Sequence, residues 1–364
     1  MDEPKRPNIM ARLFKRLSKH RMTTLIVICI VVVCTGNLIA YLVTTPKPIT
    51  KVKIPAPKIV KKVEPPIIPV KYYSPLTGNL VADEAATKQA VTAIMIENSP
   101  DARPQSGLKD SGVVFEAIAE GGITRFSVIY QQEKPQLIGP VRSVRPYYID
   151  WLAAFDASIV HVGGSAAALA EVSNGNYRNL DQFYNGNYFW RSTDRYAPHN
   201  VYTSFEKLDA LNSLKGYTSS TFTGFTRTDG KASDTPNANN INIVISSSLY
   251  NSSYGYNKTT NSYDRSQAGV PHLDRESGQI SPSVVIAMRV DESTMSDGHQ
   301  SITTIGSGNA TIFQNGMAVD AIWHKTSQTS QITFTDSAGT DIPLIRGQTW
   351  LVAVPNDGGS VSWN

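Results

Sequence analysis

The sequence predicts an α+β protein, with a mixed α/β N-terminal domain, a β-rich C-terminal domain and a single transmembrane helix ahead of both. Residues 23–43 form an uncharged apolar run, strand and helix patterns alternate between residues 92 and 214, and strand patterns dominate after residue 240. The predicted segments are 1–22, a basic cytoplasmic segment; 23–43, the transmembrane helix; 44–71, a Pro/Lys-rich linker; 72–235, the mixed α/β domain; and 236–364, the β-rich domain.

The apolar run is long enough to cross a membrane. Its 21 uncharged residues span a hydrocarbon core of roughly 30 Å at about 1.5 Å per residue. The basic cluster in residues 1–22 predicts a cytoplasmic N-terminus and extracytoplasmic globular domains. A cleaved signal peptide and lipidation of Cys34 are the alternatives. The run exceeds the usual signal-peptide length, no A-x-A site follows it, and Val33 stands where lipidation expects a small residue.

The linker, residues 44–71, holds seven prolines and seven lysines in 28 positions. Such a composition favours an extended polyproline-like stalk, which at ~3.1 Å per residue reaches roughly 85 Å. Its lysines are attracted to anionic lipid or to anionic wall polymers. A purely solubilising linker explains the composition equally well.

Charge is unevenly distributed along the chain. The net charge of +4 combines +5 in residues 1–22 and +6 in residues 44–71 with −7 in residues 72–364. An acidic globular part argues against nucleic acid as a partner. Because Cys29 and Cys34 are the only cysteines, residues 72–364 contain no disulfide, thiolate zinc site or cysteine nucleophile. No metal or cofactor is predicted.

Periodicity and turn signals define the individual elements. Pro146 suits the first position of a helix, and Ser204 is a candidate cap of another. Predicted helices cover 146–157, 165–173 and 204–214. Predicted strands cover 92–98, 111–122, 123–132, 158–164, 241–248, 283–290, 310–319, 330–336 and 349–355.

Two arginines three residues apart form the first candidate site. Arg145 precedes Pro146 and is therefore expected at the entrance of a helix, with Arg142 in the preceding turn. A helix start carries a partial positive charge, so two cations there need an anion to offset them. The anion is either a bound ligand or an internal carboxylate from Glu116, Glu120 or Asp150.

A second candidate is the loop in HVGGSAAAL, residues 161–169. Gly163, Gly164 and Ser165 join a predicted strand to a predicted helix, and backbone N–H groups at such a junction bind phosphate or carboxylate. A simple tight turn explains the same residues. His161 is expected to be a buried, hydrogen-bonded histidine.

Acidic and histidine residues supply candidates for catalysis. Glu116 and Glu120 are predicted on one strand, facing the same side at ~13 Å, which exceeds the roughly 5–9.5 Å that glycosidases use. Pairing with Arg125, Arg142 or Arg145 is therefore favoured over paired acid–base work.

Two further segments contain histidine. The segment YFWRSTDRYAPHNVYTS, residues 188–204, combines aromatic side chains with Arg195 and His199. On a loop these side chains suit contacts to sugars or peptides, and otherwise they bury themselves beneath the loop. His272 and Asp274, two positions apart, either orient an imidazole or give two metal ligands, which alone make no metal site.

Several motifs together resemble a known family. They are AIMIENSPDARPQSGL, FEAIAEGGITRF, IGPVRSVRPYYIDW, VHVGGS, FWRSTDRYAPHNVYTS and GQTWLVAVP. They are similar to the YerB-like family of bacterial exported and lipoprotein-type proteins, which have N- and C-terminal domains of unknown function. The resemblance implies attachment to the outer face of the cytoplasmic membrane and no particular activity. Since a convincing lipidation site is lacking here, the helix itself is the expected anchor.

Two functional hypotheses follow, with the membrane and a cell-wall polymer or envelope protein as expected partners. The first is an envelope binding or scaffold module that holds an anionic ligand, such as a wall fragment or a peptide. Its ligand-binding candidates are Arg142, Arg145, Arg103, Arg125, Gly163, Gly164, Ser165 and Arg195. The alternative is a wall-acting enzyme. Its catalytic candidates are Glu116, Glu120, His199, His272 and Asp274.

Overall fold

The structure, a computed structural model, describes residues 9–44 and 70–364, with side chains from residue 21 onward in the first range. The chain divides into two compact units, Met1–Ile68 and Pro69–Asn364. Almost all of the predicted linker, 44–71, and the side chains of residues 1–20 lie outside the described residues.

The described residues of the first unit form one helix, α1, Ile9–Thr44. Its segment Arg21–Thr44 has a mean hydropathy of 2.6 and is fully exposed. Within the described ranges it is the one helix long and apolar enough to cross a membrane. The hydroxyl groups of Thr35 and Thr44 donate to main-chain carbonyls one turn earlier, which satisfies them without water. The prediction of an apolar N-terminal helix is confirmed.

The second unit combines short helices with many strands. Its helices are α2 Glu84–Thr87, α3 Pro146–Leu152, α4 Ala166–Asn174 and α5 Phe205–Lys215, and its 3-10 helices are Pro100–Ala102, Glu120–Gly122, Ala153–Phe155 and Gly186–Tyr188. The strands are β1 Tyr72–Tyr73, β2 Leu80–Val81, β3 Thr92–Glu97, β4 Val113–Ile118, β5 Thr124–Tyr130, β6 Ser158–His161, β7 Arg178–Asp181, β8 Trp190–Arg191, β9 Val201–Tyr202, β10 Arg227–Thr228, β11 Asn240–Val244, β12 Ser252–Asn257, β13 Ser262–Gln267, β14 Val270–Pro271, β15 Leu273–Asp274, β16 Gly278–Gln279, β17 Val284–Val290, β18 Glu292–Thr294, β19 Gln300–Ile302, β20 Gly306–Gln314, β21 Met317–Lys325, β22 Thr333–Thr335, β23 Leu344–Ile345, β24 Thr349–Pro355 and β25 Ser360–Trp363.

A ten-stranded mixed sheet organises this unit. Its strand order is β22-β21-β20-β17-β24-β4-β5-β3-β6-β7. Strands β17, β24 and β4 are mutually parallel, and so are β3, β6 and β7. Strand β5 is antiparallel to both β4 and β3, so all six parallel strands end at the same edge of the sheet. In open α/β sheets this carboxyl edge is where ligands usually bind.

Both faces of the sheet are buried. In β3, Ala93 and Met95 face one apolar cluster, whereas Ile94 and Ile96 face another, because successive side chains point to opposite sides. Helix α3 covers the first face, where Trp151 stacks on Phe115 at 5.2 Å. Helix α5 contributes to the second. A strand buried on both faces has the continuous apolar pattern seen in AIMI.

The predicted fold class is confirmed, with differences in individual elements. The helix predicted at 146–157 becomes α3 followed by a 3-10 turn. Ser204 caps α5 as expected, since its side chain accepts from the Lys207 N–H. The strand predicted at 111–122 ends earlier, at Ile118, so Glu120 lies in a 3-10 turn beyond the strand. Both predicted domains contribute strands to the one large sheet.

Candidate functional site

A cleft of about 700 Å³ lies beyond the carboxyl end of β3. Its volume is in the range of about 300–1,000 Å³ typical of small-molecule sites. Three of its side chains, from Arg103, Arg195 and His199, were candidates from the sequence. The lining residues are Asp101, Arg103, Pro104, Asp194, Arg195, Tyr196, Ala197, His199 and Arg275.

Two segments of the N-terminal half build most of the cleft. The chain leaves β3 at Glu97 and passes through the 3-10 helix Pro100–Ala102, which places Asp101 and Arg103 at the sheet edge. Strands β8 and β9 pair with each other, and the loop between them holds Asp194 to His199. The segment 188–204 thus supplies a loop that lines this cleft, with Tyr196 92% exposed.

Neutral oxygen atoms hold the two central guanidinium groups. Arg103 donates from Nη2 to the carbonyls of Asn98, at 2.8 Å, and Leu249, at 2.9 Å. Arg195 donates from Nη1 to the Asp101 carbonyl at 2.7 Å and from Nη2 to the Pro104 carbonyl at 2.6 Å. Among the residues that the structure describes, neither forms an ion pair with a carboxylate, so both side chains are fixed while their charges stay uncompensated.

The third arginine of the cleft is neutralised. Arg275 Nη2 lies 2.6 Å from Asp194 Oδ2. A hydrogen bond from Ser192 and another from Arg275 lower the pKa of Asp194 to about 2. The main-chain N–H of Arg275 also donates to the Gln105 carbonyl at 2.8 Å. This hydrogen bond attaches Arg275, which belongs to the C-terminal half of the chain, to the wall of the cleft.

A buried carboxylate orients the imidazole of His199. Glu97 Oε1 lies 2.9 Å from His199 Nδ1 and accepts a hydrogen bond from Ser99 at 3.1 Å. When Nδ1 donates to this carboxylate, Nε2 is the acceptor nitrogen of the neutral ring. Nε2 lies 3.9 Å from Asp101 Oδ2, on the cleft side.

Glu97 is the functional candidate that the sequence analysis missed. The sequence analysis places it only within the predicted strand 92–98, yet it also lies 3.3 Å from Arg142 Nε, and its Oε2 atom is buried without a hydrogen bond. A carboxylate ending an otherwise apolar strand was the available signal, since the carboxyl edge is where such side chains meet ligands.

Arg142 and Arg145 each lie against their own carboxylate. Arg142 pairs with Glu97, and Arg145 Nε donates to Glu120 Oε1. Arg125 Nη2 is 3.6 Å from the other oxygen of Glu120. Partial burial raises the pKa of Glu120, but the Arg145 hydrogen bond and the two positive charges outweigh burial and lower it. For Arg145 the structure therefore favours the internal carboxylate over a bound anion.

The Gly163–Ser165 loop runs beside the arginine segment. The Val144 N–H donates to the Gly163 carbonyl at 3.0 Å, so the two predicted features are brought together. The Gly163 N–H, however, donates to Asp181 Oδ1 at 3.1 Å, and the Ser165 hydroxyl accepts from Ala168 N–H at 3.3 Å. These contacts make the loop a turn and a helix cap.

His161 has the expected structural environment. It is fully buried. Its Nδ1 lies 2.8 Å from the Gly163 carbonyl and its Nε2 lies 2.9 Å from Asn179 Oδ1. Because both ring nitrogens form hydrogen bonds, His161 has a structural role in stabilising this turn.

Glu116 and His272, proposed as acid–base groups, belong to a buried network. Arg265 joins them: its Nη2 lies 2.8 Å from Glu116 Oε2, and its Nη1 contacts His272 Nδ1. His272 Nε2 lies 3.0 Å from Gln105 Oε1. Burial, together with the charges of Arg265 and Arg103, lowers the pKa of His272 well below its ordinary value. His272 borders a smaller cavity of about 260 Å³, but both ring nitrogens are already used.

The remaining catalytic candidates are also placed by local contacts. Asp274 accepts from the main-chain N–H groups of Lys109, Glu276 and Ser277 at 3.0–3.2 Å, so it holds a turn. The expectation that Glu116 and Glu120 share one strand face is wrong, because β4 ends between them at Ile118. Their side chains enter different polar clusters.

The fold and the cleft define a class of protein: a mixed-sheet globular unit with a polar cleft, in a chain that also contains the apolar helical segment Arg21–Thr44. The model of the family described as "Protein of unknown function (DUF3048) N-terminal domain" matches residues 76–218. The model of the corresponding C-terminal domain matches residues 241–351.

One curated relative is "Putative lipoprotein YerB" of Bacillus subtilis (strain 168). It is 33% identical over 308 residues, which cover 80% of this chain and 89% of the relative. The crystal structure of YerB protein from Bacillus subtilis matches with a TM-score of 0.72 and 30% identity, over 80% of this chain and 100% of that one. The chain therefore belongs to the YerB-like family, and it is an envelope-associated protein that is membrane-anchored or exported.

Proposed function

We propose that this protein is a cell-envelope binding module that holds an anionic ligand in the cleft. The proposal rests on the guanidinium groups of Arg103 and Arg195. They line a cleft of about 700 Å³ and donate hydrogen bonds to carbonyl oxygens rather than to carboxylates. Arginine presents a planar set of donors that matches carboxylate and phosphate oxygens.

The electrostatics of the cleft support anion binding. Residues 72–364 carry a net charge of −7, whereas the cleft holds three arginines against two aspartates. Partial burial strengthens the attraction, because fewer water molecules screen it. Burial is also the main reason why the pKa of Arg103 falls below its ordinary value, as expected for a cation without a carboxylate beside it.

The cleft is fixed in shape before any ligand arrives. Arg103 stacks over the Tyr250 ring at 5.3 Å and donates to the Leu249 carbonyl. Arg195 is held at three main-chain carbonyls. Groups already ordered in the free protein lose little conformational entropy on binding. Leu249, Tyr250 and Arg275 come from the C-terminal half, so both halves of the chain form the site.

The proposed location is the outer face of the cytoplasmic membrane, with residues 23–43 as a single-pass anchor and the N-terminus in the cytoplasm. The basic residues at 1–22 support the orientation of this anchor. The lipoprotein name of the relative supports the location at the membrane. Protease added to intact protoplasts is expected to degrade residues 72–364. If this part is protected from protease until the membrane is permeabilised, the orientation is opposite to the one proposed.

Binding to purified cell wall tests the proposed function. Full-length protein in a non-ionic detergent is mixed with wall and centrifuged. Arg103→Gln and Arg195→Gln are each expected to reduce pelleting at least tenfold, because each removes an uncompensated cation. Lys258→Gln is the matched control: it removes a positive charge from an exposed ion pair with Asp234. Equal pelleting of all four proteins would refute the proposal.

The pairing of His199 with Glu97 favours one alternative, a wall-acting enzyme. An imidazole oriented by a buried carboxylate, with its second nitrogen toward a cleft, is arranged for general acid–base catalysis. The same mixture is analysed for soluble wall fragments. Fragment release that disappears in His199→Gln supports the enzyme, and pelleting without release supports the binding module.

A further inference from the structure

The cleft contains one uncompensated negative charge besides its uncompensated arginines. The Asp101 side chain is 82% exposed, and within the described part of the chain its carboxylate forms no ion pair with a lysine or an arginine; the His199 imidazole lies 3.9 Å away at Nε2. Arg195 donates to the main-chain carbonyl of Asp101 and not to its carboxylate. The other aspartate, Asp194, is already paired with Arg275.

The opposite charges are close together. Asp101 and Arg103 are two residues apart on one short segment, and Arg195 Nη1 contacts the main-chain carbonyls of both, at 2.7 Å and 3.4 Å. A small ligand in this cleft therefore meets two guanidinium groups and a carboxylate at once. The Tyr196 side chain, almost wholly exposed at the rim, adds an aromatic surface.

Such a charge pattern discriminates between anions. A polyanion such as a phosphate polymer is attracted by Arg103 and Arg195 but repelled by Asp101 at the same site. A molecule with one carboxylate and one ammonium group satisfies both kinds of unpaired group, and selectivity arises from the repulsion as much as from the attraction.

We infer that the ligand is zwitterionic: a peptide or amino-acid group whose carboxylate binds Arg103 and Arg195 and whose primary ammonium binds Asp101. This inference rests on the proposed function and specifies its ligand class. The ligand is either a free peptide or a peptide of the cell wall, which share this chemistry.

Ligand-observed NMR titration of the full-length chain in detergent micelles tests the inference with four probes: dialanine, N-acetyl-dialanine, dialanine amide and a glycerol-phosphate oligomer. Dialanine is expected to bind at least tenfold more tightly than its N-acetyl form, which lacks the ammonium, and than its amide, which lacks the carboxylate. Binding of dialanine is expected to weaken in Arg103→Gln.

Asp101→Asn provides the decisive comparison. It is expected to abolish the preference for dialanine over N-acetyl-dialanine while leaving affinity for the N-acetyl form no weaker. Asp234→Asn is the matched control, since Asp234 is an even more exposed aspartate outside the cleft, and it is expected to leave the preference unchanged. Because Asp101 is exposed, the substitution leaves folding intact.

The outcomes separate this inference from the proposed function. If N-acetyl-dialanine or the glycerol-phosphate oligomer binds as tightly as dialanine, and Arg103→Gln weakens it, the anion site stands and the zwitterionic ligand is wrong. If no probe binds, the zwitterionic ligand is wrong, and the wall-pelleting comparison of Arg103→Gln and Arg195→Gln decides separately whether the anion site is wrong as well. Once dialanine binding is established, wall pelleting distinguishes the two sources. If the protein pellets with wall and this pelleting is lost when wall amines are acetylated, the ligand is a wall peptide. If acetylation does not change pelleting, the ligand is a free peptide.

Discussion

Two clusters in this molecule use the same residue types and differ in nearly every other respect. In the buried network, Arg265 is fully buried, pairs with Glu116 and lies 4.7 Å from the Trp350 ring centre. In the cleft, Arg103 and Arg195 line a solvent-accessible cavity and donate hydrogen bonds to carbonyl oxygens. Arginine, glutamate and histidine occur in both. The state of charge compensation and access to solvent, rather than residue type, distinguish a structural cluster from a candidate binding site.

The two clusters are nevertheless connected. Asn98 Oδ1 accepts from Arg103 Nε at 3.2 Å and from Gln105 Nε2 at 2.9 Å. Gln105 in turn contacts His272 at 3.0 Å. The buried network therefore supports Arg103 through Asn98 and Gln105. Substitutions in the cleft are expected to change binding with little effect on stability, whereas substitutions in the buried network are expected to change both.

The largest expected effect comes from breaking the buried ion pair. Arg265→Met leaves Glu116 as an uncompensated buried carboxylate, which costs about 3–5 kcal/mol of unfolding free energy. Urea denaturation monitored by tryptophan fluorescence measures it. Adding Glu116→Gln to Arg265→Met is expected to recover part of the loss, because the stranded charge is removed. A loss below about 1 kcal/mol for Arg265→Met would mean that the network is not a stabilising unit.

An intermediate effect is expected from pH acting on His272. Its pKa is well below the ordinary value of about 6.5, so the folded protein keeps the ring neutral where the unfolded chain binds a proton. Stability due to this residue is full above about pH 6.5 and declines as pH falls toward the folded pKa, by up to about 1–2 kcal/mol between pH 7 and pH 5.

Unfolding free energies across pH 5–7.5, compared with those of His272→Gln, isolate this contribution. The substitution is expected to flatten the decline below pH 6.5, since glutamine does not titrate. A parallel pH profile for both proteins would contradict a neutral buried His272.

The smallest effect on stability is expected in the cleft. Arg103→Gln and Arg195→Gln remove hydrogen bonds to carbonyls but strand no carboxylate, so each is expected to cost about 1 kcal/mol or less. Denaturation of these variants beside Arg265→Met sharpens the contrast. A loss of 3 kcal/mol or more in either would place that arginine among the structural residues.

The fold class could be predicted because the periodicity of apolar residues is visible in the local sequence and does not depend on knowing which residues are in contact. Strand β24, predicted at 349–355, has those bounds in the structure. The hairpin of β12 and β13 was missed, because its sequence is rich in Ser, Asn, Tyr and Gly and its tight pairing arises between the two strands. Local composition does not reveal that pairing.

The site was predicted less completely. Arg103, Arg195 and His199 were named, but the principal clamp was assigned to Arg142 and Arg145 from their position before a helix. Their carboxylates, Glu97 and Glu120, come from other strands and turns. Arg265 and Glu116 are separated by 149 positions, and no local spacing reveals such a partner.

The central position of β24 has a consequence for biosynthesis. This strand, the second from the C-terminus, lies between β17 and β4 and pairs with β4 across more than two hundred residues of chain. A polypeptide made from its N-terminus completes β3, β4 and β5 long before β24 exists, so one edge of β4 stays unpaired until residue 355 has emerged. An open edge invites pairing with other chains, and such distant pairing is slow. The nascent protein therefore keeps an aggregation-prone strand edge exposed until synthesis is nearly finished.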